Sequence, residues 1–390
     1  MKPLLLVTGL ILLFAIEILR VYFIMPFPGS QQSDTISIAY WLGRNITWLR
    51  IIALLLVIFP AISIYRNGRT WAKVVVALFL VTYGVIFFFV NFRFEADKMF
   101  HQPEQKKFSS GSTNKINGDK LIIGVAINGE AKAYPIQLIG YHHQVRDSIG
   151  NTPVMITYCT VCRSGRAFSP AINGKIETFR LVGMDHFNAM FEDETTKSWW
   201  QQATGVSIAG PLKGTALKEL PSVQTSLNSW LTQYPKSLVM QPDNAFAKEY
   251  EQMAKYDRGN GKSSLTKRDS ASWKPKSWII GISHEKVSKA YDWNELVNKR
   301  MISDSIPGLP VVLTLENDTA SFHVFDRTIK GKVLNFQKSG VDQLTDSDGS
   351  TWNLSGESID GVNKGEKLRR VQAYQEFWHS WQTFHKGTLR

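Results

Sequence analysis

Cysteine is almost absent from this chain: Cys159 and Cys162 are the only two in 390 residues. A network of structural disulfides is therefore excluded. So is a self-contained zinc site of four cysteines, because such sites need four ligands. The chain also lacks a Gly-rich phosphate loop, a Gly-x-Ser-x-Gly elbow and a His-Glu-x-x-His helix, so it gives no sign of the nucleotide, serine-hydrolase or zincin chemistries those motifs serve. A c-type haem attachment requires His directly after the second cysteine, and Arg163 stands there. The net charge of +12 is spread along the chain with no basic patch or recognition module, so nucleic acid is not an expected partner. Long apolar runs are missing beyond residue 92, but three occur before it.

Those three runs, at about 4–25, 46–65 and 72–91, are each long enough to cross a bilayer, which takes about 20 helical residues. Two further runs follow the first, and no small-residue cleavage site precedes Pro26, so the region reads as an uncleaved three-helix transmembrane anchor, 1–92. Glu17 and Arg20 interrupt the first run late. Arg50 lies near the start of the second, where its side chain is expected to snorkel to the interface. The loop between the second and third runs carries Arg66, Arg69 and Lys73 with no acidic residue. The positive-inside rule then places the N-terminus in the cytoplasm of a bacterium, the protein in its inner membrane, and everything after residue 92 in the periplasm or outside the cell. The lipid bilayer is one expected partner, and another membrane or periplasmic protein is a second. That compartment is oxidising, so the two cysteines are open to disulfide formation.

A polar linker, 93–117, leads to an internal repeat. Ile122-Ile-Gly-Val and Lys132-Ala-Tyr reappear as Ile279-Ile-Gly-Ile and Lys289-Ala-Tyr. At the same offset of 157 positions, Asp147-Ser-Ile falls on Asp304-Ser-Ile and Phe168 on Phe325. Further on, Trp200 matches Trp352 and Ser229-Trp230 matches Ser380-Trp381. The expectation is two copies of one domain, 118–242 and a degenerate 273–390, joined by a connector, 243–272. β-rich runs with Asn128-Gly129 and Asn173-Gly174 hairpin signals make each copy α+β and mostly antiparallel. Short helices are expected over 135–141 and 223–234, and the shared tryptophans are expected in the core.

Strand and turn residues are shared between the copies, whereas the reactive ones are not. Cys159 falls on Glu316, Cys162 on Thr319, His142 on Lys299 and His143 on Arg300. The candidate site therefore belongs to the first copy. Two thiols joined by one or two imidazoles suit copper or zinc. The candidate metal ligands are Cys159, Cys162, His142, His143 and His186, with Met184 and Met190 as weaker thioether candidates. Arg163 and Arg166 flank the second cysteine, where they can lower a thiol pKa or hold an anionic substrate. Each of these residues also has a plain reading as buried thiol, core histidine or solvated turn arginine. The acidic run Asp185, Glu192, Asp193 and Glu194 reads as a surface turn.

Several ordered motifs carry a resemblance. Ala131-Lys-Ala-Tyr-Pro, Tyr141-His-His-Gln-Val-Arg-Asp, Thr157-Tyr-Cys-Thr-Val-Cys, Trp200-Gln-Gln-Ala-Thr-Gly and Ala209-Gly-Pro-Leu-Lys-Gly resemble a bacterial and archaeal domain-of-unknown-function family, DUF 3179. Its pattern is Ala-Tyr-Pro, Trp-His-Glu-x-Val-Asn-Asp and Thr-Tyr-Cys-Pro-x-Cys. On that resemblance His142, Cys159 and Cys162 are the matching polar positions, with Tyr141, Thr160 and Arg163 as departures. The resemblance implies no activity. Three functions stay open: transition-metal binding for metal handling or electron transfer, thiol–disulfide exchange, or peptide or glycan binding in a cleft between the copies, with the cysteines as a structural disulfide.

Overall fold

The computed structural model describes residues 2–340 and 342–390. Three helices come first: α1 (Lys2–Tyr22), α2 (Ile36–Asn67) and α3 (Thr70–Phe92). All three are long and apolar enough to cross a membrane. Helix α2 starts ten residues before the apolar run expected at 46, because Ile36 to Trp41 continue the helix ahead of polar Arg44 and Asn45. Arg50 does not snorkel as expected. Its Nε and Nη2 lie 2.5 and 2.8 Å from the two carboxylate oxygens of Glu17, which is fully buried, and its Nη2 also reaches Asn91 Oδ1 at 2.7 Å. Tyr83 Oη donates to Glu17 at 3.3 Å, so one polar network joins all three helices. A charge in an apolar bundle is tolerated when it is paired and hydrogen-bonded, which explains why Glu17 and Arg50 interrupt two different runs.

The chain divides into two compact units. The first comprises 1–101 with 177–201 and 206–216, and the second 102–176 with 202–205 and 217–390. In the first unit, four antiparallel strands (Phe179–Asp185, Asn188–Asp193, Trp199–Gln201 and Ser207–Ala209) form a sheet. One face of this sheet packs Val182, Met190 and Trp199 against Ala39 and Tyr40 of α2 and Ile24 beyond α1. Gly183 permits that approach, since a Cβ there would lie 2.3 Å from the Ile24 carbonyl oxygen. The acidic run is a surface turn only at exposed Glu194; Asp185, Glu192 and Asp193 are buried strand residues. Asp193 is fully buried and accepts from Trp200 Nε1 at 2.9 Å and from the Ser198 amide at 3.0 Å. Asp346 does the same for Trp352 and Ser350 in the second unit.

The second unit is sheet-rich and mostly antiparallel. Its largest sheet runs in the order Phe108–Ser109, Leu238–Met240, Glu130–Pro135, Leu121–Ile127, Val223–Ser226, with one parallel pair. Asn128 and Gly129, both at positive φ, make the tight hairpin expected there. The helix Ile136–His142 follows, then a three-stranded sheet of Gln144–Ile149, Thr152–Cys159 and Ser164–Phe168. The same succession returns as Trp278–His284, Val287–Asp292, helix Trp293–Lys299, Met301–Ile306, Leu309–Leu315 and Phe322–Asp326. Trp230 and Trp381 each lie against a strand glycine, Gly124 and Gly281 respectively, and both are core residues as expected.

A further expectation needs correction. Residues 223–226 are an edge strand paired with 121–124, and helix begins only at Leu227. Four residues of backbone pairing outweigh the weak local helical pattern. The linker contributes a strand, Phe108–Ser109, and the connector contributes Phe246, Tyr250 and Tyr256 to the core of the first half. Both segments carry spaced aromatics that bury apolar area.

Candidate functional site around the cysteine pair

Cys159 ends the central strand of its sheet, and its partner across the pair is Ser164. Thr160 to Arg163 form the turn, closed by Arg163 at φ +55°. Both cysteines are thiols and both are fully buried. Burial pushes the Cys162 thiol well above its ordinary value, and the hydrogen bond and charge of Cys159 push it the same way; Ser380 and Lys276 oppose this more weakly. The expected lowering by flanking arginines is therefore reversed.

The arginines are turned elsewhere. Arg163 is fully buried, donates from Nε to Gln375 Oε1 at 2.9 Å and stacks 3.9 Å from the Trp278 ring. Arg166 pairs with Glu376 at 2.5 Å and stacks 3.5 Å from Tyr374. Each reaches a residue of the second half about 210 positions away, so neither is a solvated turn arginine.

The second half also covers the cysteine turn. Lys276 Nζ donates to the Val161 carbonyl oxygen at 2.6 Å, between the two cysteines. His379 Nε2 lies 3.1 Å from that same oxygen and 3.1 Å from Lys276 Nζ. The Phe377 amide donates to the Cys162 carbonyl oxygen at 3.0 Å. Burial lowers Lys276 to about 8, with the two thiols pulling it back up, and burial followed by the Lys276 charge lowers His379 to about 4. Sequence reasoning missed Lys276 and His379. The one signal in the chain is that His379 directly precedes the shared Ser380-Trp381 pair.

Each of the three histidines of the expected ligand set has a partner of its own. His142 Nε2 lies 2.6 Å from Tyr250 Oη, edge-on to Phe246. His143 caps its helix at φ +59° and donates from Nδ1 to the Tyr158 carbonyl oxygen at 2.9 Å, while its own carbonyl oxygen accepts from the Tyr158 amide at 2.9 Å. His186 belongs to the first unit, where Nδ1 lies 2.6 Å from Asp185 and Nε2 3.5 Å from Asp34. Met190 is a core residue of that unit. Among the described residues, no group of three or more His, Cys, Asp or Glu is placed to hold a metal ion.

His143 carries a pH prediction. Burial lowers it to about 4 from an ordinary 6.5. Between those values the unfolded chain binds more protons than the folded one, so stability is complete above 6.5 and falls as pH drops towards 4. The full loss is on the order of 3 kcal/mol at 1.36 kcal/mol per pKa unit. Denaturant midpoints of the detergent-purified chain should fall steadily from pH 7 to 4.5, and His143→Gln should flatten that slope. An unchanged slope in the variant would assign the pH response elsewhere.

The comparisons with known proteins bear on this site. The sequence profile of a family described as "Protein of unknown function (DUF3179)" matches residues 101–388. The chain belongs to this family. The match runs through both halves, so the family unit comprises the cysteine turn and the second-half residues that cover it. No curated protein and no solved structure matches the chain.

Proposed function

We propose that this DUF3179 member is an extracytoplasmic, membrane-anchored protein that holds monovalent copper between Cys159 and Cys162, for copper handling or electron transfer. The observation that carries this reading is the Lys276 Nζ held 2.6 Å from the Val161 carbonyl oxygen, in the turn between two fully buried cysteines. Soft thiolates favour copper(I). When Cu⁺ displaces both thiol protons, the bis-thiolate complex carries one negative charge, which Lys276 neutralises. A bare pair of buried thiolates would have no such balance, and the raised Cys162 agrees with a protonated Cys162 sulfur until a cation arrives. Zinc fits less well, since it takes four ligands and the histidines expected to supply them face other partners.

In this reading the two halves are copies of one domain, and the contacts between them support the role of the second half. Gln224 and Gln375, equivalent by the alignment that pairs Ser229-Trp230 with Ser380-Trp381, hydrogen-bond to each other at 2.8 Å. Contacts reciprocate around them. Ser380 faces Cys162, and its counterpart Ser229 donates to Glu316, which replaces Cys159, at 2.6 Å. One copy thus carries the chemistry and the other closes it. The runner-up, a dithiol–disulfide couple, draws on the same neighbours: a partner disulfide would take the two electrons and be reduced to thiols, and neutral His379 stands beside the turn to take up a released proton.

The test is copper content of the full chain after anaerobic purification in detergent, with thiol titration alongside. About one equivalent of Cu⁺ is expected, absent from Cys159→Ser. Lys276→Met should retain copper at least about tenfold more weakly, the lower end for a close buried charge pair. No bound copper together with a reversible two-electron disulfide would discard the copper reading in favour of the couple.

A further inference from the structure

The far ends of the three helices meet a second feature unrelated to the cysteines. In the first unit the alternating direction of the helices brings the C-terminal end of α1, the N-terminal end of α2 and the C-terminal end of α3 to one side. A cavity of about 280 Å³ opens there. Its lining holds four basic residues, Arg20, Arg44, Arg180 and Lys197, against two acidic ones, Glu95 and Glu192. Glu95 pairs with Arg20 at 3.2 Å and Glu192 with Arg180 at 2.9 Å. Arg44 and Lys197 make no ion pair among the described residues, so the cavity carries an excess of two positive charges. Tyr40 and Trp199, rings 5.1 Å apart and edge-on, form one wall.

Directly alongside lies an apolar groove of about 470 Å³ between α1 and α3, lined by Ile18, Val85, Ile86 and Phe89 among others. The groove and the polar cavity share Val21 and Phe94. A cationic pocket at the end of a helix bundle, continuous with a purely apolar channel along the same helices, matches one ligand chemistry in polarity and order: an anionic head followed by a hydrocarbon chain. Basic pockets between membrane helices recognise phosphate head groups in this way. Aromatic side chains such as Tyr40 and Trp199 suit the head-group level, where one side of the ring is apolar and the other wet.

We propose that this paired cavity is a binding site for an anionic phospholipid, with the phosphate held between Arg44 and Lys197 and one acyl chain lying in the α1–α3 groove. A zwitterionic lipid brings a quaternary ammonium that the basic lining opposes. The site therefore selects by head-group charge, beyond the general affinity of any apolar helix for lipid. The existing pairs of Arg20 and Arg180 keep the lining in place, and the two remaining cations supply the selectivity.

The experiment is native mass spectrometry on the full chain in mixed micelles of phosphatidylglycerol and phosphatidylcholine, with inorganic phosphate as a separate probe. One equivalent of phosphatidylglycerol should be retained at least about tenfold better than phosphatidylcholine. Arg44→Gln and Lys197→Gln should each cost about fivefold, and together bring the two lipids near parity. Val85 is half exposed on α3, so Val85→Trp should fold and fill the groove, lowering phosphatidylglycerol retention. Equal retention of both lipids by the unaltered chain would overturn the proposal. So would an unchanged preference in the double variant. Displacement of the lipid by millimolar phosphate, with no effect of Val85→Trp, would reassign the cavity to free anions and overturn it equally.

Discussion

Glu376→Leu should destabilise the second unit by about 3 kcal/mol, because it leaves the Arg166 guanidinium buried without its closest counter-ion. Both partners of this pair are 1% exposed and 2.5 Å apart. Removing one partner of a buried pair costs about 3–5 kcal/mol. Glu219, 3.7 Å from Arg166, remains to offset part of that, which sets the estimate at the lower end. For a unit of this size the melting temperature should fall by roughly 6–12 °C. Replacing both partners, Arg166→Met with Glu376→Leu, removes the stranded charge and should recover most of the loss. Ser380 donates to the other Glu376 oxygen at 3.0 Å, and Ser380 also faces Cys162. The single variant should therefore raise the reactivity of Cys162 towards a small alkylating reagent. Melting within about 1 kcal/mol of the unaltered chain, with unchanged alkylation, would show that the pair neither binds the halves nor seals the site.

The second large effect is expected in the helices. Glu17→Leu removes the carboxylate that accepts two hydrogen bonds from Arg50 and strands a guanidinium among α1, α2 and α3. Asn91 and the Phe87 ring, 4.8 Å from Arg50, still contact the cation. The expected loss is about 2–4 kcal/mol, below what an isolated charge in hydrocarbon would cost. Thermal unfolding in detergent, followed by helical circular dichroism, reads this loss directly. Glu17→Leu combined with Arg50→Leu should melt close to the unaltered chain. If Glu17→Leu alone melts normally, Arg50 has found the interface by snorkelling, as its place in the sequence first suggested.

Local and periodic features were legible in the sequence. Three apolar runs, each about as long as a bilayer is thick, define the helices. Asn128-Gly129 defines a hairpin because only a few residue types accept positive φ twice in succession. The tryptophans expected in the core, Trp200, Trp230, Trp352 and Trp381 among them, are buried. The ordered Tyr-Pro, His and Cys motifs were enough to place the family, and the cysteine pair marked a turn after a strand.

What the sequence did not contain is the company each polar side chain keeps. His142 pairs with Tyr250, 108 positions away, and Arg163 and Arg166 with Gln375 and Glu376, more than 200 away. Lys276 and His379 meet at Val161 from opposite ends of the second half. An isolated charge or imidazole has no periodicity, so its composition and spacing carry no record of its partner. Burial then decides its chemistry: beside two arginines that could have lowered a thiol pKa, the Cys162 thiol is pushed up by burial, and those arginines stack on Trp278 and Tyr374. The sequence by itself determined the three long apolar helices, the strands and turns, and the position of the two sulfurs. Only the tertiary structure decided which groups surround them, because that choice is made by desolvation and pairing between residues that the chain brings together only on folding.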